Sequence, residues 1–446
     1  MKRQIFLGVV AAFAVPGMVQ AAGFALIENS ASGQGNAYAG AAAHTLDAST
    51  VFFNPAGMMR LEGDSLTVAG HFIKPNSEFN NNGSSAAAVL GGGALTGEDD
   101  DGGANALVPN FYWVKGLDDE MKFGLGMQTL FGLATKYNDD WVGRYHAVET
   151  DLKTINFNPS IAYQVNEQLS VGGGVDIVFG DITFTNAIDF GAICAAQGLA
   201  SASCSPQQTD GFADLGGDNL SSPALGYNFG LQYLITPETI FGMSYRSEIN
   251  LDLEGKADFT VPSGAAFVMS GGLFLDSDIT AGVTLPASLA LSVAHRVDSI
   301  TYLADITWTG WSSFDELRIN YQNANQPDSV TTEDWEDSMR YSAGLDYQYS
   351  DKMVLRTGLA YDETPVPSAE RRTARVPGNS RTWLSFGLSY LLDEELSVDV
   401  GYSHLFIDDT KINNEFESSV PTLAATLTGE YEASVDILSV QLNWKY

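Results

Sequence analysis

The sequence predicts an all-β fold: a transmembrane antiparallel β-barrel of about fourteen strands, with an N-terminal hatch inside its lumen. Three observations carry that prediction. Apolar residues alternate with small or polar ones from about Ser65 to the C-terminus. Short turns alternate with long polar excursions along the same stretch. Ahead of it lies a run rich in Gly, Ala, Ser and Asn, AGFALIENSASGQGNAYAGAAAHTLDASTVFFNPAGMMRL, with no sustained strand alternation. The composition fits: 45 glycines, 11% aromatic and only 17% charged residues in 446.

In chain order, residues 1–21 read as a secretory signal peptide. Lys2 and Arg3 form a basic start, Ile5 to Val15 an apolar run, and Val19-Gln20-Ala21 a small-residue cleavage site. Residues 22–63 are assigned to the hatch and 64–446 to the barrel. No later run offers 18 uninterrupted apolar residues, so a helical span is not expected. Leu396, Val398, Val400 and Tyr402 alternate with Ser397, Asp399, Gly401 and Ser403, as a strand between lipid and a wet interior requires. Short turns fall at 116–120, 165–168, 236–239, 296–299, 349–352 and 392–395. Six such turns join twelve strands, and one strand precedes and one follows them. Both termini then face the periplasm, and excursions such as 186–222 and 255–282 face outward. The last strand sets Leu438, Val440, Leu442, Trp444 and Tyr446 on one face.

The formal net charge of −33 speaks against nucleic acid as a partner. It reads as solvated acidic loops; divalent-cation bridging to lipopolysaccharide is a weaker reading. Cys194 and Cys204, the only cysteines, sit in one exported loop and are read as a disulfide. No metal site or cofactor is expected. The histidines are scattered without a persuasive serine partner, so the chain is not read as an enzyme.

An ordered set of motifs resembles one family. It comprises Asn54-Pro55-Ala56, Phe131-Gly132-Leu133-Ala134-Thr135, Trp141-Val142-Gly143-Arg144-Tyr145, Asn158-Pro159-Ser160, Arg356-Thr357-Gly358-Leu359-Ala360-Tyr361-Asp362, Pro365-Val366-Pro367 and Arg381-Thr382-Trp383. The set is similar to the outer-membrane long-chain fatty-acid transporters, a family that includes aromatic-hydrocarbon channels. The resemblance implies an outer-membrane, monomeric, passive uptake channel of a Gram-negative bacterium, set among outer-membrane lipid and lipopolysaccharide. A long-chain fatty acid or similar hydrophobic small molecule is caught by external loops. It passes to a lumen pocket gated by the hatch and leaves sideways beside a kinked third strand. Uptake of aromatic or aliphatic hydrocarbons by the same route is the alternative, and a general diffusion porin a more distant one.

Candidate residues follow from both sources. Apolar side chains concentrate in the predicted external loops, Phe259, Phe267, Met269, Leu273 and Phe274 in one and Phe190 and Ile193 in another. Exposed apolar patches mark binding sites, although such residues also make small loop cores. The resemblance makes these loops the walls of a capture groove. It also makes Phe24 an inner-pocket residue, and Leu26 is grouped with it. Alternation turns Arg246, Arg340 and Arg356 inward, where each serves a head group or a salt network. The family's fatty-acid member has a lysine before the tenth strand where this chain has Thr331, with Glu333 nearby; that departure leaves room for neutral ligands. Asn54, Pro55 and Ala56 are read as shaping the hatch. Gly124 and Gly126 in the third strand are candidates for the lateral gate.

Overall fold

A computed structural model describes residues 23–446. The predicted leader, residues 1–21, lies outside the described residues, as does Ala22. Fourteen strands form the wall. The first seven are Ser65–Asn81, Ala106–Gly116, Met121–Gln128, Glu149–Gln164, Leu169–Asp189, Ala224–Thr236 and Thr239–Arg246. The other seven are Ser288–Val297, Ile300–Thr309, Ser338–Ser350, Met353–Asp362, Arg381–Leu391, Leu396–Ile407 and Thr426–Lys445. Each pairs antiparallel with the next. The first closes on the last, from Ser65↔Lys445 to Asn81↔Gly429. The six expected turns fall at strand junctions along one rim.

Alternation decides which face meets lipid. In the last strand Leu438, Val440 and Leu442 stand about half exposed, while Ser439 and Gln441 are fully buried. The apolar stripe therefore points out of the barrel and the polar stripe points in. No helix of the described residues is long and apolar enough to cross a membrane; the strands do the crossing.

The inward polar face is covered by protein. Residues 23–61 lie against it and bond to the wall at many points. Ala31 N–H donates to Gln441 Oε1, Ala42 N–H to Ser292 Oγ, and Asn36 Nδ2 to Asp346 Oδ1. Two short helical turns, Ala31–Gln34 and Thr50–Phe53, and a 3-10 turn, Pro55–Arg60, order the segment. Asn54 organises the last turn: Oδ1 caps Ala56 N–H while Nδ2 donates to Ala42, Leu231 and Met243 carbonyls. Wall glycines make room for this backbone. A Cβ on Gly230 would fall 1.9 Å from Asn54 Oδ1, and one on Gly358 2.1 Å from the Asn36 carbonyl oxygen. Much of the glycine content thus answers a close approach rather than turns.

Two regions read as loops are partly sheet. Within and beside 186–222 and 255–282 run the strands Asp210–Asp218, Ile249–Thr260 and Ser277–Leu285. They extend the outer end of the fifth strand through Asp181↔Asp218 to Asp189↔Asp210, and continue to Glu316–Tyr321 and Ser329–Thr332. Their alternation faces water on the polar side, with Leu251 and Leu253 buried and Asn250 and Asp252 exposed. Strands with acidic outer faces resemble polar loop sequence, which is why they were hidden.

Candidate functional site: two cavities and a broken strand

The third strand leaves the wall at Thr129–Phe131. Its pairing with the fourth strand runs to Gln128↔Asn156 and resumes in the strand Gly132–Lys136 at Gly132↔Lys153. Four steps on one side match three on the other, a one-residue bulge. On its other side, pairing with the second strand ends at Phe111↔Met127, so Ala106–Asn110 of that strand have no partner there. The freed backbone bonds inward instead. Leu26 N–H donates to Leu130 O and Gly132 N–H to Phe24 O, and Ala25 bridges Phe131. Behind the gap, Asn110 Nδ2 donates to Glu28 O and the Tyr112 hydroxyl to Asn29 O.

This leading piece of the N-terminal segment ends in an aromatic clasp. The Phe24 ring lies 4.8 Å from Trp311, 5.4 Å from Phe314, 5.7 Å from Trp335 and 5.9 Å from Phe131, centroid to centroid. Gly23 sits over Trp311 with φ +67, and a Cβ there would fall 2.3 Å from the indole. Only glycine meets both demands.

Beside the clasp is a cavity of about 170 Å³. Leu26, Phe52, Phe53, Phe131, Trp311 and Trp383 give it apolar walls. Glu28, Arg246, Arg340, Arg381, Asp305 and Asp362 supply charge. Arg246 pairs with Asp176 and lies 5.1 Å over the Phe52 ring. Arg381 pairs with Asp362 at 2.9 Å. Arg340 donates one N–H to the Ala37 carbonyl and lies 5.3 Å over Trp383. A second cavity, of about 100 Å³, opens among the outer strands, lined by Ile188, Leu215, Phe259, Phe274 and Tyr321 among others. An apolar cluster links the two, including Ile182, Phe184, Leu215, Ile319 and Trp335.

The expected site residues sort by place. Leu26, Arg246 and Arg340 line the inner cavity. Phe24 does not; it fills the clasp that forms one wall. Arg356 is also elsewhere, buried between Asp346 and Asp399 in the network under the N-terminal segment. Glu333 supports the clasp, accepting from Trp335 Nε1 at 2.9 Å, and burial pushes its carboxyl up to about 8 against that bond. Of the groove residues, Phe259 and Phe274 line the outer cavity, with Phe190 packed on Phe274 at 5.1 Å. Ile193 is buried beside them, Phe267 and Leu273 are partly buried, and Met269 is 41% exposed. Cys194 and Cys204 form a disulfide, with Cα atoms 6.1 Å apart. Asn54, Pro55 and Ala56 are buried against the wall. Gly124 and Gly126 lie in the regularly paired part of the third strand, before the break. Gly124 makes room there for Met58 and Val51.

Glu28, Trp311, Phe314 and Trp335 escaped the sequence reading, and Arg381 and Trp383 entered it only as part of a family motif, not as site residues. Glu28 had a signal, as the one acid between residue 22 and Asp47. The two loop tryptophans carried none, because nothing local says what they face.

A barrel with a filled lumen, a bulged third strand and two cavities with partly apolar walls can be compared with known proteins. The family model for outer membrane protein transport proteins (OMPP1/FadL/TodX) matches residues 12–446. The chain belongs to this family. Among FadL/TodX relatives, the long-chain fatty acid transport protein of Salmonella typhi is 32% identical over 415 residues, 89% of this chain and 91% of its own length. The Escherichia coli K12 protein of the same description is 29% identical over 424 residues, with the same coverage. Outer membrane protein P1 of Haemophilus influenzae is 29% identical over 453 residues, 96% of each chain. A solved Pseudomonas aeruginosa FadL homologue has a TM-score of 0.85 at 23% identity, covering 95% of this chain and 99% of its own. The toluene transporter TodX of Pseudomonas putida has 0.70 at 18%, with the same coverage. Both share the fold. FadL/TodX membership makes this a multi-pass protein of the Gram-negative outer membrane.

Proposed function

We propose that this FadL/TodX-family barrel takes up long-chain fatty acids or similar hydrophobic compounds across the outer membrane, passively and without catalysis. The observation that carries the reading is the join between the leading segment and the broken third strand. One short piece of chain, Phe24–Asn29, closes the gap in the wall and borders the inner cavity. A ligand held in that cavity is therefore one displacement away from the lipid.

The route has three stages. The outer cavity, with Phe259 and Phe274, receives the apolar ligand, because such surface favours it over water by about 25 cal/mol per Å² buried. The apolar cluster with Phe184 and Trp335 passes it inward to the cavity beside Leu26 and Arg246. Residues Phe24–Asn29 then act as the moving part of a hatch, and the ligand leaves between Ala106–Asn110 and Thr129–Phe131. In this reading the gate is that break rather than Gly124 and Gly126. A barrel closed strand to strand offers no edge to which a second copy could add a strand, so the expected monomer needs no edge protection. The acidic outer face fits cation-bridged lipopolysaccharide around it.

Aromatic or aliphatic hydrocarbons would use the same apolar route, and the rings around the cavity suit them. The test is uptake of labelled oleate, toluene and an alkane by a strain lacking the gene and by the same strain complemented. Oleate uptake restored by the gene is the expected result. Equal uptake of all three with and without the gene would overturn the proposal. High steady conductance of the purified protein in planar bilayers would replace it with a diffusion porin.

A further inference from the structure

The inner cavity holds two buried charged groups that do not bond each other. Arg340 is 6% exposed, and its Nε and Nη1 have no hydrogen-bond partner among the described residues. Glu28 is 2% exposed, and its Oε2 has none either. Both line the same space. An unmatched buried donor or acceptor costs about 1–3 kcal/mol, more when charged. Two such groups around one cavity leave a donor and an acceptor there free to meet a ligand.

Charge and geometry say which ligand. The guanidinium offers N–H donors and accepts nothing, so it asks for an acceptor of negative charge. Arg246, Arg340 and Arg381 are opposed by Asp176, Asp305 and Asp362, and Glu28 is the acid left over. An ionised Glu28 would leave these groups one negative charge in excess, which disfavours an entering carboxylate unless a proton comes with it. Asp176 and Asp362 are committed to arginines, and Asp305 accepts from Ser292 and Thr307 hydroxyls. Of the acids that line the cavity, Glu28 alone has a buried oxygen without a partner; Asp176, whose Oδ2 is also unbonded, lies outside the lining. Arg381, Arg340, Asp362 and Tyr38 are the ionisable groups around it. We propose that the inner cavity binds a carboxylate-headed amphiphile, with Arg340 donating to the carboxylate and Glu28 taking up one proton to donate its O–H. Burial acts in the same direction, raising the Glu28 carboxyl above its ordinary range against the pull of Arg381 and Arg340. Glu28 is part of Phe24–Asn29, so head-group binding acts on the piece that closes the wall.

The inference rests on the uptake reading, and one set of titrations separates the two. Full-length protein in detergent is titrated with oleate and with methyl oleate from about pH 6 to about pH 9, in buffers of differing ionisation enthalpy. Wild type should take up about one proton per oleate and lose affinity about tenfold per pH unit once Glu28 ionises. E28Q should bind oleate with little pH dependence and no such uptake. R340Q should weaken oleate at least about tenfold and leave methyl oleate unchanged. Proton uptake equal in E28Q and wild type would put the proton on the ligand and overturn the inference. So would equal weakening of both ligands by R340Q. Failure of wild type to bind either ligand would instead overturn the uptake reading, and this inference with it.

Discussion

The N-terminal segment contains two regions held by different physics. From Ser30 to Arg60 it is joined to the wall by a buried polar network. Asp47 takes bonds from Ser32 and Gln441, and His44 and Arg356 share Asp346. Its turns also press against wall glycines. From Phe24 to Asn29 it is held by one aromatic clasp and a few backbone and side-chain bonds beside the bulge. Polar bonds buried between the segment and the wall have few replacement partners, so losing one leaves an orphan. Aromatic packing can be exchanged for an apolar ligand at little loss. Under the proposed uptake, the contrast predicts that Ser30–Arg60 stays in place and that a ligand displaces only the six residues Phe24–Asn29.

The hardest blow to this contrast is to unseat the fixed part. G358A places a methyl 2.1 Å from the Asn36 carbonyl oxygen and 2.2 Å from its carbon, and neither backbone atom can swing aside. Overpacking of this kind costs about 1–3 kcal/mol or more. The variant should show a lower thermal midpoint and new ion conductance in planar bilayers. Unchanged closure would mean that the fixed part is not fixed.

Crosslinks cut between the two regions directly. Ala25 and Phe131 form an antiparallel bridge, a geometry within reach of a disulfide. The pair A25C/F131C should lose most oleate uptake when oxidised and regain it when reduced. A42C/S292C ties the fixed part to the eighth strand, where the Ala42 N–H meets the Ser292 hydroxyl. With the effect of its substitutions scored against the reduced form, oxidation should leave uptake unchanged. Equal sensitivity of both pairs would erase the distinction between the regions.

Removing the clasp residue is milder. F24A gives up ring contacts worth about 3–5 kcal/mol in a packed core, confined here to the leading piece. Uptake should fall several-fold while the folded barrel still forms, read by heat-modifiable migration. Deletion of residues 22–24 should do the same.

The same contrast divides what sequence could reveal. Strand count, turn positions and the inward polar stripe all follow from period-two alternation, a local property that each strand such as Leu396–Ile407 carries in itself. Arg246 and Arg340 were reachable because alternation turns them inward, and Leu26 because the family resemblance puts the start of the segment in the inner pocket. The clasp was not reachable, since Trp311 and Trp335 sit in irregular connections and meet Phe24 only through barrel closure. Arg356 shows the converse limit. Alternation turned it inward correctly, but could not say that Asp346 and Asp399 would consume its charge.

The smallest expected effect concerns Glu333, which bears on the clasp and not on the polar network. Its carboxyl stands at about 8 against an ordinary 4.5, because burial outweighs the Trp335 N–H that it accepts. The folded state therefore binds this proton more tightly than the unfolded chain does. Below about pH 4.5 both states are protonated and there is no penalty. Between 4.5 and 8 stability falls as pH rises, and above 8 the full penalty of a buried anion is present. That strain lands on Trp335, a neighbour of Phe24. Protease clipping between Phe24 and Asn29 should be faster at about pH 9 than at about pH 6 in wild type, and nearly pH-independent in E333Q. Clipping within Ser30–Arg60 should not respond to this group in either protein. A response there would show the two regions to be mechanically one.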